Sequence, residues 1–235
     1  MKATAILPIK RFAEAKSRLA QTPPTGLKAA YKSTFRPVGG FSVGIDDERR
    51  AALAAAMLED VLDAIGRART IDRTIVVSSE PRALELAAKA GAEVVPDPDE
   101  GGHPGAALAG IARAEEHGAT CVVLLPGDCP LLDPRELDRL LTGVPERYVT
   151  IVPDRHGTGT NALALAPPDA IRPAFGEGSC ARHVAAAREA GIPYGVEEPA
   201  SLALDLDTPA DVVALIRELE ARPGRAQRTA KALGI

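Results

Sequence analysis

Short apolar runs alternate with longer amphipathic segments along most of this 235-residue chain. In one long segment Leu53, Met57, Val61 and Ile65 recur at four-residue spacing and predict the buried face of a helix. Five apolar runs predict strands: ATAILPI (3–9), RTIVVSS (73–79), AEVVP (92–96), TCVVLLP (120–126) and YVTIVP (148–153). This alternation is typical of βαβ units, so we expect a single α/β domain with a mostly parallel sheet flanked by helices.

Two further helices are predicted near the carboxyl end of the chain. The segment ARHVAAAREAG predicts a helix that stops at Gly191. The segment TPADVVALIRELEA predicts another, with Thr208 as N-cap, Pro209 at the first helical position and Asp211 at the third.

Two segments depart from this pattern. Residues 21–46 combine prolines, glycines and aromatic residues without a clear period, and we expect either a mobile lid or oligomer arm, or a disordered insertion. Residues 222–235 carry four positive charges and no acid, and we expect a frayed, solvated basic tail.

Composition narrows the class of protein. Apolar residues make up 46% of the chain and charged residues 26%, which is ordinary for a globular domain. A net charge of -4 gives no reason to expect nucleic-acid binding, and the lack of any long apolar run argues against a membrane segment. Cys121, Cys129 and Cys180 show no zinc or disulfide spacing, so a reducing cytoplasm is expected. A homodimer is compatible with the sequence but is not indicated by it.

The stretch PDRHGTGTNALAL (153–165) contains a literal G-x-G-x-x-A match to dinucleotide-binding loops. Such a loop must open a helix, whereas Pro167 and Pro168 end the following apolar run too early for one. Two interpretations remain open. The glycines form a plain turn between two strands, or they form a turn that contacts a ligand.

Basic residues follow the first predicted strand. Lys10, Arg11, Lys16 and Arg18 all lie in LPIKRFAEAKSRLA (7–20). Open α/β sheets bind ligands at the carboxyl edge of their strands, so these cations could neutralise a polyphosphate there. A solvated basic loop is the alternative. The chain has no Walker-type phosphate loop.

Three aspartates are candidate ligands for Mg²⁺. Asp128 follows the apolar strand in LLPGDCPLLDP (124–134), while Asp205 and Asp207 alternate in LALDLDTP (202–209) and point to one side of an extended segment. Mg²⁺ usually takes one or two carboxylates together with substrate phosphates. The alternative roles are a turn for Asp128 and helix capping for Asp205 and Asp207.

A glycine-serine turn precedes the predicted helix in FGEGSCARH (175–183). Backbone N–H groups there, with the Ser179 hydroxyl, could form a small anion site. Ser179 as a simple N-cap is the alternative. Ser179 and His183 lack the G-x-S-x-G context of a nucleophilic triad.

Taken together, six motifs resemble the guanylyltransferases of coenzyme F-420 biosynthesis, which act on 2-phospho-L-lactate or phosphoenolpyruvate. They are LP-x-K-x-x-x-x-AKSRLA, MLEDVL, VVLLPGDCPLL, PDRHGTGTNAL, FG-x-GS-x-x-RH and D-x-DTP-x-D, and they run in order over nearly the whole chain. The combination of DRHGTGTNAL with FG-x-GS-x-x-RH is the most specific part. Residues 21–46 depart from the family, whose members have a shorter link there.

The resemblance implies a Rossmann-like, nucleotide-diphospho-sugar transferase-like fold and transfer of GMP from GTP to the acceptor's phosphate. It implies that Lys10, Lys16 and Arg18 hold the GTP phosphates and that Asp128, Asp205 and Asp207 surround Mg²⁺. Thr160 or Asn161, with Gly176 and Ser179, would hold the phospho-acid. Phosphoenolpyruvate is the expected acceptor and 2-phospho-L-lactate the alternative. Further alternatives are a molybdopterin or sugar nucleotidyltransferase and a non-catalytic nucleotide-binding module.

Overall fold

The computed structural model describes residues 3–12, 19, 47–97 and 102–235, which form a single seven-stranded sheet with helices on both faces. The predicted insertion at 21–46 and the predicted phosphate ligands Lys16 and Arg18 lie outside these residues. The strands are β1 (Ala3–Ile9), β2 (Ile71–Ser78), β3 (Glu93–Pro96), β4 (Cys121–Leu124), β5 (Tyr148–Pro153), β6 (Thr160–Ala166) and β7 (Tyr194–Val196).

The strand order is β3-β2-β1-β4-β6-β5-β7. From β1 the chain builds outward to β2 and β3, and then returns to place β4 on the other side of β1. Only β6 runs opposite to its neighbours, since it pairs antiparallel with both β4 and β5. The expected single α/β domain with a mostly parallel sheet is therefore confirmed.

The helices bury the sheet from both faces. In the described part of the chain they are α1 (Asp47–Gly66), α2 (Pro81–Lys89), α3 (Gly102–Glu116), α4 (Pro134–Leu141), α5 (Ser179–Glu189), α6 (Pro209–Ala221) and α7 (Gln227–Leu233). Helices α1, α2, α4, α6 and α7 pack against one face, whereas α3 and α5 pack against the other. Successive residues of a central strand point to opposite faces of the sheet. Because helices bury both faces, these strands consist of continuous apolar runs.

Local sequence signals explain the helices well. Leu53, Met57, Val61 and Ile65 form the buried face of α1, as their spacing predicts. Helix α6 begins with the predicted cap, because the Asp211 carboxylate accepts hydrogen bonds from the Thr208 backbone N–H and hydroxyl at 2.6 and 2.8 Å.

One close contact depends on glycine. A Cβ atom at Gly110 of α3 would lie 2.4 Å from Cγ2 of Ile6 in β1, closer than carbon atoms can pack. The absence of a side chain at Gly110 therefore allows α3 to lie directly on the central strand.

Strands β6 and β7 were not among the five predicted runs, although the interpretation of 153–165 as a plain turn between two strands implied β6. The ALALA run of β6 alternates alanine with leucine, and alanine has low strand propensity. Strand β7 has only three residues, one of them Gly195. Both strands are stabilised by pairing with β5, which the local sequence does not reveal.

The prediction of a frayed carboxyl-terminal tail was wrong, because residues 227–233 form α7 and this helix packs against α1. The buried Asp60 carboxylate of α1 accepts hydrogen bonds from the Thr229 N–H at 2.8 Å and the Thr229 hydroxyl at 2.7 Å. It also accepts a bond from the Arg228 N–H at 3.3 Å. A cap supplied from another helix leaves no signature in the local sequence. None of the helices in the described part of the chain is long and apolar enough to span a bilayer.

We expect Asp60→Ala to lower the free energy of unfolding by about 2–4 kcal/mol, because it leaves buried donors of α7 without their acceptor. Urea denaturation measures the change. The control is Asp63→Ala in the same helix, which removes an exposed carboxylate that pairs with Arg67 and should cost less than about 1 kcal/mol. Equal losses in the two variants would contradict this role of Asp60.

Candidate functional site

A cavity of about 830 Å³ opens at the sheet edge where β1 and β4 end. Because the chain reverses its strand order between these two strands, their carboxyl ends diverge into a crevice, the usual ligand site of open α/β sheets. The antiparallel β6 begins at this same edge, since Thr160 pairs with Pro153 at the end of β5. Residues from all six sequence motifs therefore line one cavity.

The segment after β1 is held by β2 and by the start of α2. The Ser78 hydroxyl donates to the Ile9 carbonyl at 2.7 Å and accepts from the Glu80 N–H at 2.9 Å. The Glu80 carboxylate in turn accepts from the Phe12 N–H at 3.1 Å. These bonds fix the backbone on both sides of Lys10, which is exposed and lines the cavity.

Asp128, Asp205 and Asp207, the predicted Mg²⁺ ligands, line the same cavity. The segments that carry them are joined by a hydrogen bond from the Leu206 N–H to the Asp128 carbonyl at 3.3 Å. Burial raises the pKa of Asp205, and the negative charges of Asp128 and Asp207 raise it further. Asp205 therefore lies within reach of two like charges, and a bound cation would offset their repulsion.

Asn161 positions one of these acids. Its side-chain amide donates to the Leu202 carbonyl at 2.7 Å and to the Asp205 carboxylate at 3.3 Å. Asn161 is 8% exposed and borders the cavity. Its amide nitrogen therefore holds the end of the chain segment that carries Asp205, a contact that the sequence did not suggest.

The glycine turn between β5 and β6 also faces the cavity. The Asp154 carboxylate accepts hydrogen bonds from the backbone N–H groups of His156 at 3.1 Å and Thr158 at 2.9 Å. Gly157 has a φ of 72°, a conformation that favours glycine. Thr160 then opens a strand and not a helix, so the rejection of the dinucleotide fingerprint was correct.

Thr160 is part of a buried hydrogen-bond network with α5. Its hydroxyl oxygen lies 3.0 Å from Ser179 Oγ and 3.1 Å from His183 Nδ1. The other ring nitrogen of His183 accepts from the Ala174 N–H at 2.9 Å. The alternative in which Ser179 caps α5 was wrong, because Gly178 occupies the N-cap position and Ser179 is fully buried behind Thr160.

Gly176 borders the cavity within the loop that precedes α5. Its φ of 105° requires glycine. The Arg182 guanidinium ties this loop to α5 by donating to the carbonyls of Ala174 at 2.9 Å and Phe175 at 3.3 Å.

Sequence reasoning missed two residues of this region. Arg155 lines the cavity and its guanidinium pairs with the buried Asp211 carboxylate that caps α6. His183 is fully buried, and burial together with the nearby charge of Arg182 lowers its pKa to about 4. Both residues lie within motifs that carried the family resemblance, which is the only signal that could have selected them.

The sheet topology, with carboxylates, a basic residue and a glycine turn at one edge, is typical of nucleotide-binding α/β proteins. A solved structure from Desulfovibrio desulfuricans G20, provisionally assigned as a nucleotide-diphospho-sugar transferase, superimposes with a TM-score of 0.65 at 15% identity. The match covers 99% of this chain and 94% of that one, and confirms the predicted fold class.

The sequence matches the family described as "Guanylyl transferase CofC like" over residues 33–227. The phosphoenolpyruvate guanylyltransferase of Conexibacter woesei is 45% identical over 232 residues, which are 97% of this chain and 94% of that protein. The 3-phospho-D-glycerate guanylyltransferase of Phenylobacterium zucineum is 39% identical over 174 residues, 73% and 80% of the two chains. The chain therefore belongs to the CofC-like guanylyl transferase family.

We expect acid to destabilise the fold through His183. The unfolded chain binds a proton at the ordinary histidine pKa of 6.5, whereas the folded protein does so only near its lowered pKa of about 4. The stability that depends on the neutral ring is therefore complete above pH 6.5 and is lost as the pH falls towards 4. Urea unfolding at several pH values across this window measures the loss.

The matched control is His183→Gln, which keeps a polar side chain without a titrating ring. The pH dependence of the variant should be shallower between pH 6.5 and 4, because only wild-type His183 protonates there on unfolding. Parallel curves for wild type and variant would show that His183 is not held neutral by the fold.

Proposed function

We propose that this protein is a Mg²⁺-dependent guanylyltransferase that transfers GMP from GTP to phosphoenolpyruvate and releases pyrophosphate. The observation that carries the proposal is the shared cavity, in which Lys10, the three aspartates and Thr160 meet at the end of β1 and β4. The name and 45% identity of the Conexibacter woesei relative support phosphoenolpyruvate as the acceptor. The product, enolpyruvyl-diphospho-guanosine, would place the enzyme in coenzyme F-420 biosynthesis, and GTP as substrate agrees with the expected cytoplasmic location.

The reaction requires charge neutralisation more than proton transfer. An ionised oxygen of the acceptor phosphate attacks the α-phosphorus of GTP and forms the new P–O bond. The bond from that phosphorus to the bridging β-phosphate oxygen breaks, and pyrophosphate leaves with the electron pair. The attacking oxygen carries no proton at neutral pH, so a general base is not needed.

The chain's own residues supply positioning and charge. Lys10, whose neighbours Ile9 and Phe12 are held by Ser78 and Glu80, would contact the triphosphate from the β1 side. Thr160 and Gly176, which line the cavity, would bind the acceptor on the β6 and α5 side, while the buried Ser179 would act only through its hydrogen bond to Thr160. The GMP group would then pass from GTP to the acceptor between the β1 side and the β6 and α5 side of the cavity, beside the carboxylates.

The carboxylates fit a magnesium ion that also binds substrate. No group of three His, Cys, Asp or Glu side chains among residues 3–12, 19, 47–97 and 102–235 is already arranged to hold a metal. Mg²⁺ commonly takes only one or two carboxylates and completes its shell with phosphate oxygens and water. Asp128 and Asp205, with Asp207 beside them, would hold such an ion, which would offset the charge that builds on the phosphates.

Three phospho-acids should be compared as acceptors with GTP and Mg²⁺: phosphoenolpyruvate, 2-phospho-L-lactate and 3-phospho-D-glycerate. We expect the highest kcat/KM for phosphoenolpyruvate, measured by pyrophosphate release and by the mass of the guanylylated product. ATP and CTP in place of GTP test the base preference. Release of no pyrophosphate with any phospho-acid would reject the proposed function, and a clear preference for 3-phospho-D-glycerate would reject the proposed acceptor.

We expect Asp128→Asn and Asp205→Asn each to lower kcat by at least about 100-fold, or about 3 kcal/mol in transition-state stabilisation, and to raise the Mg²⁺ concentration needed for activity. Binding of Mn²⁺ in the presence of GTP, followed by electron paramagnetic resonance, gives a second measure. Asp169→Asn, an exposed acid outside the cavity lining, is the control. Full activity and unchanged Mn²⁺ affinity in Asp128→Asn would disprove the metal assignment.

A further inference from the structure

The hydrogen bond between Ala174 and His183 determines which ring nitrogen carries a proton. The Ala174 N–H can only donate, and it lies 2.9 Å from His183 Nε2. This nitrogen is therefore an acceptor without a hydrogen. A neutral imidazole has one N–H, which must then be on Nδ1. The complete burial of the side chain and its lowered pKa agree with a neutral ring.

The protonated Nδ1 faces the Thr160 hydroxyl oxygen at 3.1 Å. Because Nδ1–H is a donor, Thr160 must accept this bond. The Ser179 hydroxyl donates to the same oxygen at 3.0 Å. A threonine hydroxyl has two lone pairs and one hydrogen, so both lone pairs of Thr160 are used by these two donors.

The remaining hydrogen of Thr160 points away from both donors. If Thr160 instead donated to Ser179, the hydrogen of the Ser179 hydroxyl would be the one left without an acceptor. Ser179 is fully buried, whereas Thr160 is partly exposed and lines the cavity. Because a buried hydroxyl hydrogen needs an acceptor, we assign Ser179 as the donor to Thr160, which leaves the Thr160 O–H as a donor at the cavity wall.

We propose that His183 is a positioning residue, which as the Nδ1–H tautomer turns the Thr160 hydroxyl into a donor for an anionic oxygen of the acceptor. This inference rests on the proposed function, because it assumes that the phospho-acid binds beside Thr160. In the opposite tautomer Nδ1 would be a hydrogen-bond acceptor, and the Thr160 hydroxyl would donate to it. The cavity would then face a lone pair, which repels phosphate and carboxylate oxygens.

His183 also joins this hydroxyl to the loop that carries Gly176. Its Nε2 holds the Ala174 N–H, while the neighbouring Arg182 holds the carbonyls of Ala174 and Phe175. The Phe175 ring packs edge-on against the imidazole, with ring centroids 5.4 Å apart. The His183 side chain therefore contacts both the loop and the Thr160 hydroxyl, which couples the two parts of the acceptor site.

Two substitutions separate the two hydrogen bonds of His183. His183→Gln can keep an acceptor for the Ala174 N–H but loses the donor to Thr160, whereas His183→Asn keeps a donor near the Nδ1 position. We expect His183→Gln to raise the KM for the acceptor by about 10-fold or more, with the KM for GTP unchanged. His183→Asn should rescue a large part of this loss.

A double-mutant cycle tests whether His183 acts through Thr160. In a Thr160→Val background, adding His183→Gln should change kcat/KM for the acceptor by less than about twofold, because the hydroxyl that His183 orients is already gone. Circular dichroism confirms that the variants are folded. Multiplicative losses, or equal increases in KM for GTP and acceptor, would overturn the inference.

The tautomer is measured directly in the wild-type protein, and a variant is needed only to assign the signals. Long-range ¹H–¹⁵N spectra of protein with labelled histidines resolve the ring nitrogens of its four histidines, and His183→Gln assigns the signals of His183. We expect a neutral Nδ1–H ring at pH 7.5, whereas an Nε2–H ring would overturn the inference. If wild type releases no pyrophosphate with any phospho-acid, the proposed function fails while the tautomer result still stands.

Discussion

The parallel pairing of β1 with β4 is the constraint on which the site depends. Residues Ala3 to Ile6 pair in register with Cys121 to Leu124, so the two strands end side by side. Lys10 and Asp128 are far apart in the chain, but they lie about the same distance beyond the paired residues Ile6 and Leu124. The crevice forms because β2 and β3 extend the sheet beyond β1, whereas β6, β5 and β7 extend it in the other direction beyond β4.

The antiparallel strand β6 gives this edge its second wall. A parallel strand in that position would carry Thr160 to the opposite edge, because residues at the start of a parallel strand lie far from the carboxyl ends of its neighbours. Reversal of β6 brings the glycine turn, Thr160 and the start of α5 next to the aspartates. One sheet therefore presents cations, carboxylates and hydroxyl groups to the same space.

The aspartates of the cavity differ in how many hydrogen bonds and ion pairs stabilise their negative charge. Asp211 is nearly buried, yet its carboxylate receives three hydrogen bonds from the Asp207 and Thr208 segment and pairs with Arg155. Asp205 has less compensation, so its pKa is raised by burial and by its acidic neighbours. The acid that caps a helix and the acid suited to a cation are thus distinguished by their partners, although both occur in the same short motif.

Local patterns in the sequence determined the buried face of α1, the cap of α6, the central strands and the residue types that meet at the sheet edge. These features depend on residues a few positions apart in the chain, so local sequence patterns are enough to predict them. Only the tertiary structure decided that β6 pairs antiparallel, that Asp60 caps α7 and that Asn161 holds Asp205. It also placed His183 between Ala174 and Thr160. Each of these contacts joins groups on separate elements, and a hydrogen bond between distant residues leaves no periodicity in the sequence from which it could be predicted.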